Sequence, residues 1–393
     1  KAKFSFNTKG GNIKSVELKE YLTYDKQPLY LFDEENSEQS ISFQTASGSV
    51  NLSELYYTTS ARSKTVTKDD TTTLTFTLRT SDNNSIEHIY KVPGDGYQVL
   101  YELRINGLKN TIVGEQATLS WTNKMKRLEM NLDDSRNKNT IRWYTLSEDS
   151  DNLKALSKDP LQEQVPEGIK WVSFSQKFFN IGIIADRGFN GGLFNSDIPL
   201  NDTTIVKNTS MNLSIPLTDL YAGGKFSYYF GPNKYKVLKK VAPSYEDNLY
   251  LGYVMVSWVN KYILIELMSF LEKYISSYGV IIIIMVFLIK LVLFPLTRKS
   301  YLSMAKMKAM KPELDALKEK IGDDAQKMQQ EQMKLYRQVG VNPLSGCIPM
   351  VLQMPILFAM FFFFPNAIEL RGESFLWATD LSTYDVLFKL PFT

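Results

Sequence analysis

The chain has 393 residues but only one cysteine, Cys347, and one histidine, His88. A single cysteine excludes a disulfide bond within the chain. A single histidine makes a histidine-based metal centre or a Ser/His/Asp triad hard to assemble. The sequence also lacks the G-x-x-x-x-G-K-[ST] pattern of a phosphate-binding loop. These absences predict a protein that is not an enzyme and that needs no cofactor and no metal.

An excess of charge of one sign is also missing. The 45 lysines and arginines nearly balance the 42 aspartates and glutamates, so the net charge is +3. This value is too close to neutral to favour nucleic-acid binding. The distribution of the charges along the chain is therefore more informative than their sum.

Residues 1–242 consist of short runs in which apolar and polar residues alternate, such as TLTFTLRT at 73–80 and YQVLYELRI at 97–105. Turn sequences such as PGDG at 93–96 separate the runs. Period-two alternation over many short segments predicts a large antiparallel β-sandwich, rather than a barrel or several small domains. His88 lies within one alternating run, which favours a structural role over that of a ligand or a base.

Residues 243–276 are predicted to form a connector and an amphipathic helix that lies in the membrane interface. Glu266 and several other polar residues in this segment disfavour a full membrane span. A helix packed on the sandwich is the alternative, which we disfavour because a strongly apolar run begins directly afterwards. The apolar side is predicted to carry Trp258, Tyr262, Ile265, Met268, Leu271 and Ile275, and the polar positions are Asn260, Lys261, Glu266, Ser269, Glu272 and Lys273.

Residues 277–297 contain the apolar run YGVIIIIMVFLIKLVLFPLT, which is long enough to cross a bilayer. Lys290 lies inside this run. Because a lysine near the centre of a membrane helix costs about 2.5 to 3.5 kcal/mol, such a residue is expected to face protein or water and to mark a functional site. Snorkelling of Lys290 is the alternative, but Arg298 is eight residues away, or about 12 Å along a helix.

Residues 298–341 are rich in lysine and arginine, which places this segment in the cytoplasm. Two heptad-like apolar series flank Gly322, Asp323 and Asp324, and they predict an antiparallel helical hairpin. A solvated coiled coil is the plain interpretation. Attachment to membrane segments at both ends favours contact with lipid headgroups or a ribosome. The apolar series are Met307, Met310, Leu314, Leu317 and Ile321, followed by Met328, Leu335 and Val339.

Residues 344–366 are predicted to form a second span, and residues 367–393 to return to the side of the sandwich. Gln353 lies about 12 Å from the start of this span, which matches the depth predicted for Lys290. Polar side chains at matching depths predict a hydrated layer in the cytoplasmic half of the membrane. Eleven of the fourteen methionines fall between residues 255 and 360. Methionine-rich surfaces adapt to varied apolar partners, so this concentration predicts a surface that binds apolar polypeptides.

Three runs of the sequence closely resemble the YidC/Oxa/Alb family of membrane protein insertases: KLVLFPLTRKSYLSMAKMKAMKPEL, GDDAQKMQQEQMKLYRQVGVNPLSGCIPMVLQMPILFAMFF and ELRGESFLWATDLS. The runs WVSFSQKFF and FGPNKYKVLKK are similar to the periplasmic domain of Gram-negative members. The resemblance implies an α+β, multidomain protein of the bacterial inner membrane. A periplasmic β-supersandwich would precede a helical membrane core of five spans, with an interfacial helix, a cytoplasmic hairpin and a hydrophilic groove. The first span would lie before Lys1 and the last two after Thr393.

The resemblance also implies partners and site residues. The partners would be nascent membrane proteins, the Sec translocon, the ribosome and the lipid bilayer, with no other nucleic acid. Most family members have arginine where this chain has Lys290, and lysine keeps the charge but loses the planar fork. The predicted substrate groove contains Lys290, Gln353, Met354, Val286 and Leu357, and the predicted contacts of the cytoplasmic hairpin are Arg298, Lys306, Lys308, Asp323 and Asp324.

Two other function classes remain as alternatives. A transporter or channel fragment would carry charges and broken helices within the membrane, but paired charges and internal repeats would be expected, and the sequence shows neither. A sugar-binding or sugar-modifying envelope protein could use a sandwich of this size. Such sites commonly combine carboxylates with a histidine, and His88 is alone.

Overall fold

The computed structural model describes residues 1–81, 83–322, 324–338 and 348–384. Two compact units divide the chain at Leu249. The first unit is built from β-strands and the second from helices, which confirms the predicted fold class of an antiparallel β-sandwich followed by a helical region. The first unit extends past residue 242, where we predicted its end, because Tyr245, Asn248 and Leu249 are buried within it.

The strands of the first unit pair in antiparallel fashion throughout, as the period-two alternation predicts. In chain order they are β1 (Ala2–Phe6), β2 (Ile13–Leu22), β3 (Pro28–Phe32), β4 (Ser37–Thr45), β5 (Gly48–Asn51), β6 (Thr71–Ser81), β7 (Asn84–Pro93), β8 (Gln98–Asn106), β9 (Ile112–Lys126), β10 (Thr140–Thr145), β11 (Ser150–Asn152), β12 (Leu161–Val165), β13 (Ile169–Ser175), β14 (Phe179–Phe189), β15 (Gly192–Asp197), β16 (Ile205–Pro216) and β17 (Gly224–Pro232). Three short helices accompany them: α1 (Leu132–Lys138), α2 (Leu217–Tyr221) and α3 (Tyr235–Leu238).

These strands form three sheets. The largest has eight strands in the order β11-β10-β13-β14-β17-β8-β7-β6, the second has six in the order β12-β15-β16-β9-β4-β5, and the third contains β1, β2 and β3. Neighbours in the large sheets are often distant in sequence, so these sheets require many long-range contacts to form.

Aromatic side chains join the sheets. Trp121 of the six-stranded sheet is fully buried and makes edge-to-face contacts with Phe174 and Tyr228 of the eight-stranded sheet and with Phe32 of the three-stranded sheet. The Gln39 side chain donates a hydrogen bond of 2.7 Å to the Tyr228 hydroxyl across the same core. Edge-to-face ring pairs add about 0.5 to 1.5 kcal/mol each beyond burial, so this cluster fixes the packing of the sheets.

His88 lies in this core, as expected for a structural residue. Its side chain is 3% exposed. The Nδ1 atom is 2.8 Å from the Tyr101 hydroxyl, and the ring meets the Tyr57 ring edge to face at 4.7 Å. Nε2 is buried and has no partner among the residues that the structure describes. Burial lowers the pKa of His88 to about 3, so the ring is neutral at physiological pH.

Lys207 on β16 is the clearest departure from a simple apolar core. Its side chain is 2% exposed, and Nζ donates a hydrogen bond of 2.8 Å to the Ala155 carbonyl oxygen. Burial lowers the pKa of Lys207 to about 8. A lysine with this environment destabilises the folded state, because the unfolded chain solvates the ammonium group better.

We therefore expect Lys207→Met to raise the free energy of unfolding of residues 1–249 by about 2 kcal/mol at pH 7. The folded-state pKa is lower than the unfolded value. The penalty is therefore complete below pH 8 and shrinks as the pH rises towards 10.5. Urea unfolding at pH 7 and pH 10 measures this, and the gain should be smaller at pH 10. Lys124 is exposed, so Lys124→Met serves as the control. It should leave the free energy of unfolding unchanged at both pH 7 and pH 10.

The second unit contains six α-helices within the described ranges. They are α4 (Val254–Val259), α5 (Ile265–Leu271), α6 (Tyr278–Ala309), α7 (Lys311–Ile321), α8 (Ala325–Gln338) and α9 (Ile348–Phe363), and one π turn, Asn260–Leu264, joins α4 to α5. The buried core of this unit includes Leu264, Met268, Ile281, Met285, Ala359 and Phe363.

The interfacial helix predicted for 255–276 is observed as two helices around the π turn, and it ends earlier. Ile265, Met268 and Leu271 are buried as the apolar side, but Trp258 and Tyr262 are 57% and 61% exposed, so they lie on another side. A π turn inserts one extra residue into the helix, which rotates the two halves relative to each other. A sequence pattern that assumes constant helical spacing cannot detect this rotation.

Candidate functional site

Helix α6 carries Lys290 and the first half of the candidate site. It is continuous from Tyr278 to Ala309, across the boundary that we predicted at residue 297 between the membrane span and the hairpin. Pro295 lies inside the helix and cannot donate to the carbonyl four residues earlier. The Thr297 hydroxyl lies within hydrogen-bond distance of the Leu293 and Phe294 carbonyl oxygens, at 3.2 and 2.9 Å, and donates to this turn. At 32 residues the helix is about 48 Å long, more than a bilayer core requires.

The Lys290 side chain is exposed. Consecutive residues of a helix are rotated by about 100°, so Lys290 lies on the side of α6 opposite the fully buried Ile281 and Met285. Val286 lies one turn before Lys290 and is half-buried. The packed side of α6 is therefore apolar, and its one cation between Tyr278 and Thr297 lies on the open side.

Helix α9 carries the second half of the candidate site. Gln353, Met354 and Leu357 are exposed, the last two by 43% and 62%. Met354 and Leu357 lie opposite the buried Ala359 and Phe363, by the same helical rotation. Within the described residues, neither Lys290 nor Gln353 has a hydrogen-bond or ion-pair partner. All the predicted groove residues are thus placed on α6 and α9, and these two helices contact each other.

The predicted hairpin residues divide between two elements. Arg298, Lys306 and Lys308 are exposed on the C-terminal part of α6. Asp324 accepts a hydrogen bond of 3.0 Å from the backbone N–H of Lys327, so it caps the start of α8. Asp323 lies outside the described residues.

Helices α7 and α8 contact each other, as a hairpin requires. The predicted apolar positions Leu314, Leu317, Ile321, Met328 and Leu335 are half-buried. The first two positions of the series, Met307 and Met310, belong to the end of α6 and to the break that follows it.

Two asparagines that the sequence interpretation did not single out organise the start of the helical unit. Asn260, which is fully buried in the π turn, donates a hydrogen bond of 2.8 Å to the Leu251 carbonyl oxygen. Asn366 donates to the carbonyl oxygens of Tyr250 and Phe362, at 3.2 and 2.8 Å. Both side chains hold the segment that precedes α4. The only sign of this role in the sequence was an asparagine within an apolar helical run. We predicted that Asn260 would be one of the polar positions of the helix, and its complete burial shows that it does not lie on the surface.

Two segments of the described chain, Val254–Leu271 and Tyr278–Pro295, are long and apolar enough to cross a membrane. Gln353–Asn366 is a shorter apolar helix. Among the residues that the structure describes, no group of three or more His, Cys, Asp or Glu side chains could hold a metal ion. The charged and amide groups available on α9 and on the apolar part of α6, from Tyr278 to Thr297, are therefore one cation, Lys290, and one amide, Gln353.

Comparison with known proteins covers the whole chain. The family model described as YidC periplasmic domain matches residues 1–265, and that described as 60Kd inner membrane protein matches residues 270–393. The chain is 40% identical over 395 residues to the membrane protein insertase YidC of Amoebophilus asiaticus, covering 99% of this chain and 66% of the relative. It is 43% identical over 403 residues to the protein of the same name from Cytophaga hutchinsonii, covering 99% and 64%.

The chain thus spans about two thirds of the length of these relatives. Among solved structures, a galactose mutarotase related enzyme from Lactobacillus acidophilus is 10% identical, with a TM-score of 0.35, over 58% of this chain and 94% of that chain. A likeness at this level supports no functional conclusion. The matches to the two family models and to the named relatives confirm the resemblance noted in the sequence: the chain belongs to the YidC family of membrane protein insertases.

Proposed function

We propose that the protein inserts nascent membrane proteins into the bacterial inner membrane, and that Lys290 attracts the polar or acidic segment of the client. The family supports the insertion activity. The observation that carries the role of Lys290 is its exposure on the open side of the apolar part of α6, from Tyr278 to Thr297. No covalent step is involved, so the activity is that of an insertase and not of an enzyme.

The mechanism follows from the cost of moving polar groups across hydrocarbon. Each charged residue placed at the centre of a membrane costs about 2.5 to 3.5 kcal/mol. A water-containing groove in the cytoplasmic half, lined by Lys290 and Gln353, would let the client's polar segment enter partway and leave less hydrocarbon to cross. Val286, Met354 and Leu357 would contact the client's apolar helix. Release of that helix into lipid would then drive the crossing without a nucleotide.

The proposed organisation follows the predicted segments. Residues 1–242 would lie in the periplasm. Residues 243–276 would form a connector, whose start packs within the first unit as far as Leu249, and a helix in the membrane interface. Residues 277–297 and 344–366 would span the membrane. Residues 298–341 would lie in the cytoplasm, and residues 367–393 would return to the periplasmic side. The cations Arg298, Lys306 and Lys308 would contact lipid headgroups or the ribosome, and the protein would act alone or beside the Sec translocon.

Substitution of Lys290 tests the proposal. The full-length protein that contains this sequence would be expressed in a strain depleted of its own insertase, and protease accessibility of a client's outer tail would report insertion. We expect Lys290→Ala to reduce insertion of a client with an acidic outer tail about fivefold, because a unit charge in a partly hydrated site contributes on the order of 1 kcal/mol. Lys290→Arg should retain insertion, because it keeps the charge.

Two controls separate this effect from general damage. Lys320→Ala removes an exposed lysine of α7 and should leave insertion unchanged. A client with an uncharged outer tail should be inserted equally well by the wild-type protein and by Lys290→Ala. Equal insertion of the acidic client by Lys290→Ala and the wild type would refute the role of Lys290, while leaving the insertase activity itself intact.

A further inference from the structure

Strand β6 forms one edge of the eight-stranded sheet and pairs with β7 on one side only. From Thr71 to Leu78 its sequence is TTTLTFTL, which carries no charge, no proline and no glycine. Natural proteins usually protect long edge strands with charges, prolines, bulges or a covering segment. This strand has none of the first three protections over eight residues.

The direction of the β6 backbone shows which groups face outward. Thr77 and Thr58 form a pair of hydrogen bonds on the side away from β7, with N···O distances of 2.8 and 2.9 Å. Because the backbone groups of residues two apart in a strand face the same side, Thr73 and Thr75 also direct their N–H and C=O groups away from β7. Within the part of the chain that the structure describes, these outward groups have no backbone partner.

Residues 59–67 link Thr58, which pairs with Thr77, to the turn that leads into β6, and we call them the strap. Thr58 attaches the start of the strap opposite Thr77, and a turn from Thr67 to Asp70 leads back into β6. The strap nevertheless forms no strand, and between its two ends the described residues make no backbone-to-backbone hydrogen bond. It therefore leaves the outward hydrogen-bonding groups of Thr73 and Thr75 unpaired, and both residues are exposed.

The burial pattern explains why the strap does not pair. Ala61 and Val66 are its half-buried apolar residues, together with Thr59 at the anchored end. Ala61 and Val66 are five positions apart, and a regular strand would place them on opposite faces. An irregular backbone is required for both side chains to face the protein. The strap therefore cannot pair with β6 as a regular strand along its whole length. A polypeptide with branched apolar residues at every second position has no such conflict.

We propose that the outer edge of β6 at Thr73 and Thr75 binds an extended, acidic polypeptide segment, which adds to the sheet as a further strand and displaces the strap. The charge of the surroundings favours acidic residues. Residues 59–81 contain four cations, Arg62, Lys64, Lys68 and Arg79, against two acids, Asp69 and Asp70, which leaves a net charge of +2 along the strap and β6. The strap stays tethered at both ends when displaced, so its cations remain close to the bound segment.

Strand addition is a general mode of peptide recognition, in which main-chain hydrogen bonds supply the affinity and alternate side chains supply the specificity. Displacing the strap costs little, because exposed segments without ladder hydrogen bonds lie at the low-stability end of a fold. An unfolded polypeptide that meets this domain is therefore the kind of partner that the edge fits. This inference does not depend on the insertase activity.

The binding of a defined peptide tests the proposal. The 393-residue chain in detergent micelles would be titrated against dye-labelled Glu-Thr-Val-Thr-Val-Thr-Val-Thr-Glu, with fluorescence anisotropy as the measurement. We expect saturable binding that weakens with salt. A peptide of the same sequence that is N-methylated at all seven central residues should bind about tenfold more weakly, because it loses the donors on both of its edges and cannot pair with β6 in either orientation. Equal binding of the two peptides would overturn the proposal without any variant of the protein.

Variants locate the site. Thr75→Pro removes one outward N–H and leaves the ladder with β7 intact, since proline is tolerated where an edge N–H faces solvent. It should weaken binding about tenfold, whereas Thr75→Val, which keeps the N–H, should change it by less than about twofold. A methyl group at Gly94 would overlap the Thr67 carbonyl oxygen. Gly94→Ala should therefore dislodge the end of the strap and strengthen binding.

Two results would contradict this assignment. Unchanged binding to Thr75→Pro would place the peptide elsewhere. A wild-type chain that is dimeric by light scattering, becomes monomeric on Thr75→Pro and binds no peptide in either form would show that the edge takes a second copy of the chain instead.

Discussion

Gly182→Ala is expected to lower the free energy of unfolding of residues 1–249 by about 3 kcal/mol, the loss typical of displacing a large buried side chain. Gly182 lies in the centre of β14, opposite Ser173 and Tyr229. A methyl group at this position would overlap the Tyr245 hydroxyl. Because β14 is paired with a strand on each side, its backbone cannot shift away from the added methyl group. The Tyr245 ring must move instead.

Displacement of the Tyr245 ring would break several stabilising interactions. The ring is fully buried, and its hydroxyl donates a hydrogen bond of 2.6 Å to the Asn180 side chain. The ring meets Trp171 and Tyr229 edge to face, at centroid distances of 4.9 and 5.5 Å. These contacts hold the last residues of the first unit against the eight-stranded sheet. Displacing the ring therefore loosens the end of the unit from which the chain continues.

A double-mutant cycle in urea checks this explanation. The nearest atom to the added methyl group is the Tyr245 oxygen, and the nearest ring carbon is 3.0 Å away. Tyr245→Phe alone should cost about 1 kcal/mol for the lost hydrogen bond. The double variant should then be at least about 1 kcal/mol more stable than the sum of the single losses predicts. Additive losses would show that the Tyr245 hydroxyl is not what the methyl group meets.

The sequence was sufficient to predict the sheet but not its order. TLTFTLRT at 73–80 is a strand because threonine, leucine and phenylalanine alternate, and residues 71–81 form β6. The pairing of β17 with β8, more than a hundred residues apart, leaves no local signal. His88 could be assigned to a strand, but its burial against Tyr57 and Tyr101 depends on chain segments that period-two alternation does not relate.

The candidate site was also only partly predictable from the sequence. A lone cation in an apolar run was visible in the sequence, and Lys290 is found exposed on a continuous helix. The side on which it lies could be deduced only after the structure showed that Ile281 and Met285 are the buried positions. The roles of Asn260 and Asn366 depend on a π turn and on carbonyl groups of Tyr250 and Leu251, and hydropathy patterns contain neither.

Acid is expected to destabilise the first unit through His88. Its pKa falls from 6.5 to about 3 because burial disfavours the charged ring. The folded state therefore binds fewer protons than the unfolded state between these two pH values, and stability is lost as the pH falls through 6.5 towards 3. The shift corresponds to about 4 to 5 kcal/mol at the acid end of this range. About 2.5 kcal/mol of this loss is expected by pH 4.5.

His88→Gln separates this effect from the protonation of carboxylates. Glutamine can still bond the Tyr101 hydroxyl but does not titrate, so the variant should be less stable than the wild type at pH 7.5 because ring contacts with Tyr57 are lost. As the pH falls, the wild type should lose stability faster, and the difference between the two proteins should shrink or reverse by pH 4. Urea unfolding of residues 1–249 from pH 7.5 to pH 4 measures this difference. Parallel curves would mean that the buried ring accepts a proton as readily in the folded state as in the unfolded chain, through rearrangement around the unpaired Nε2 atom.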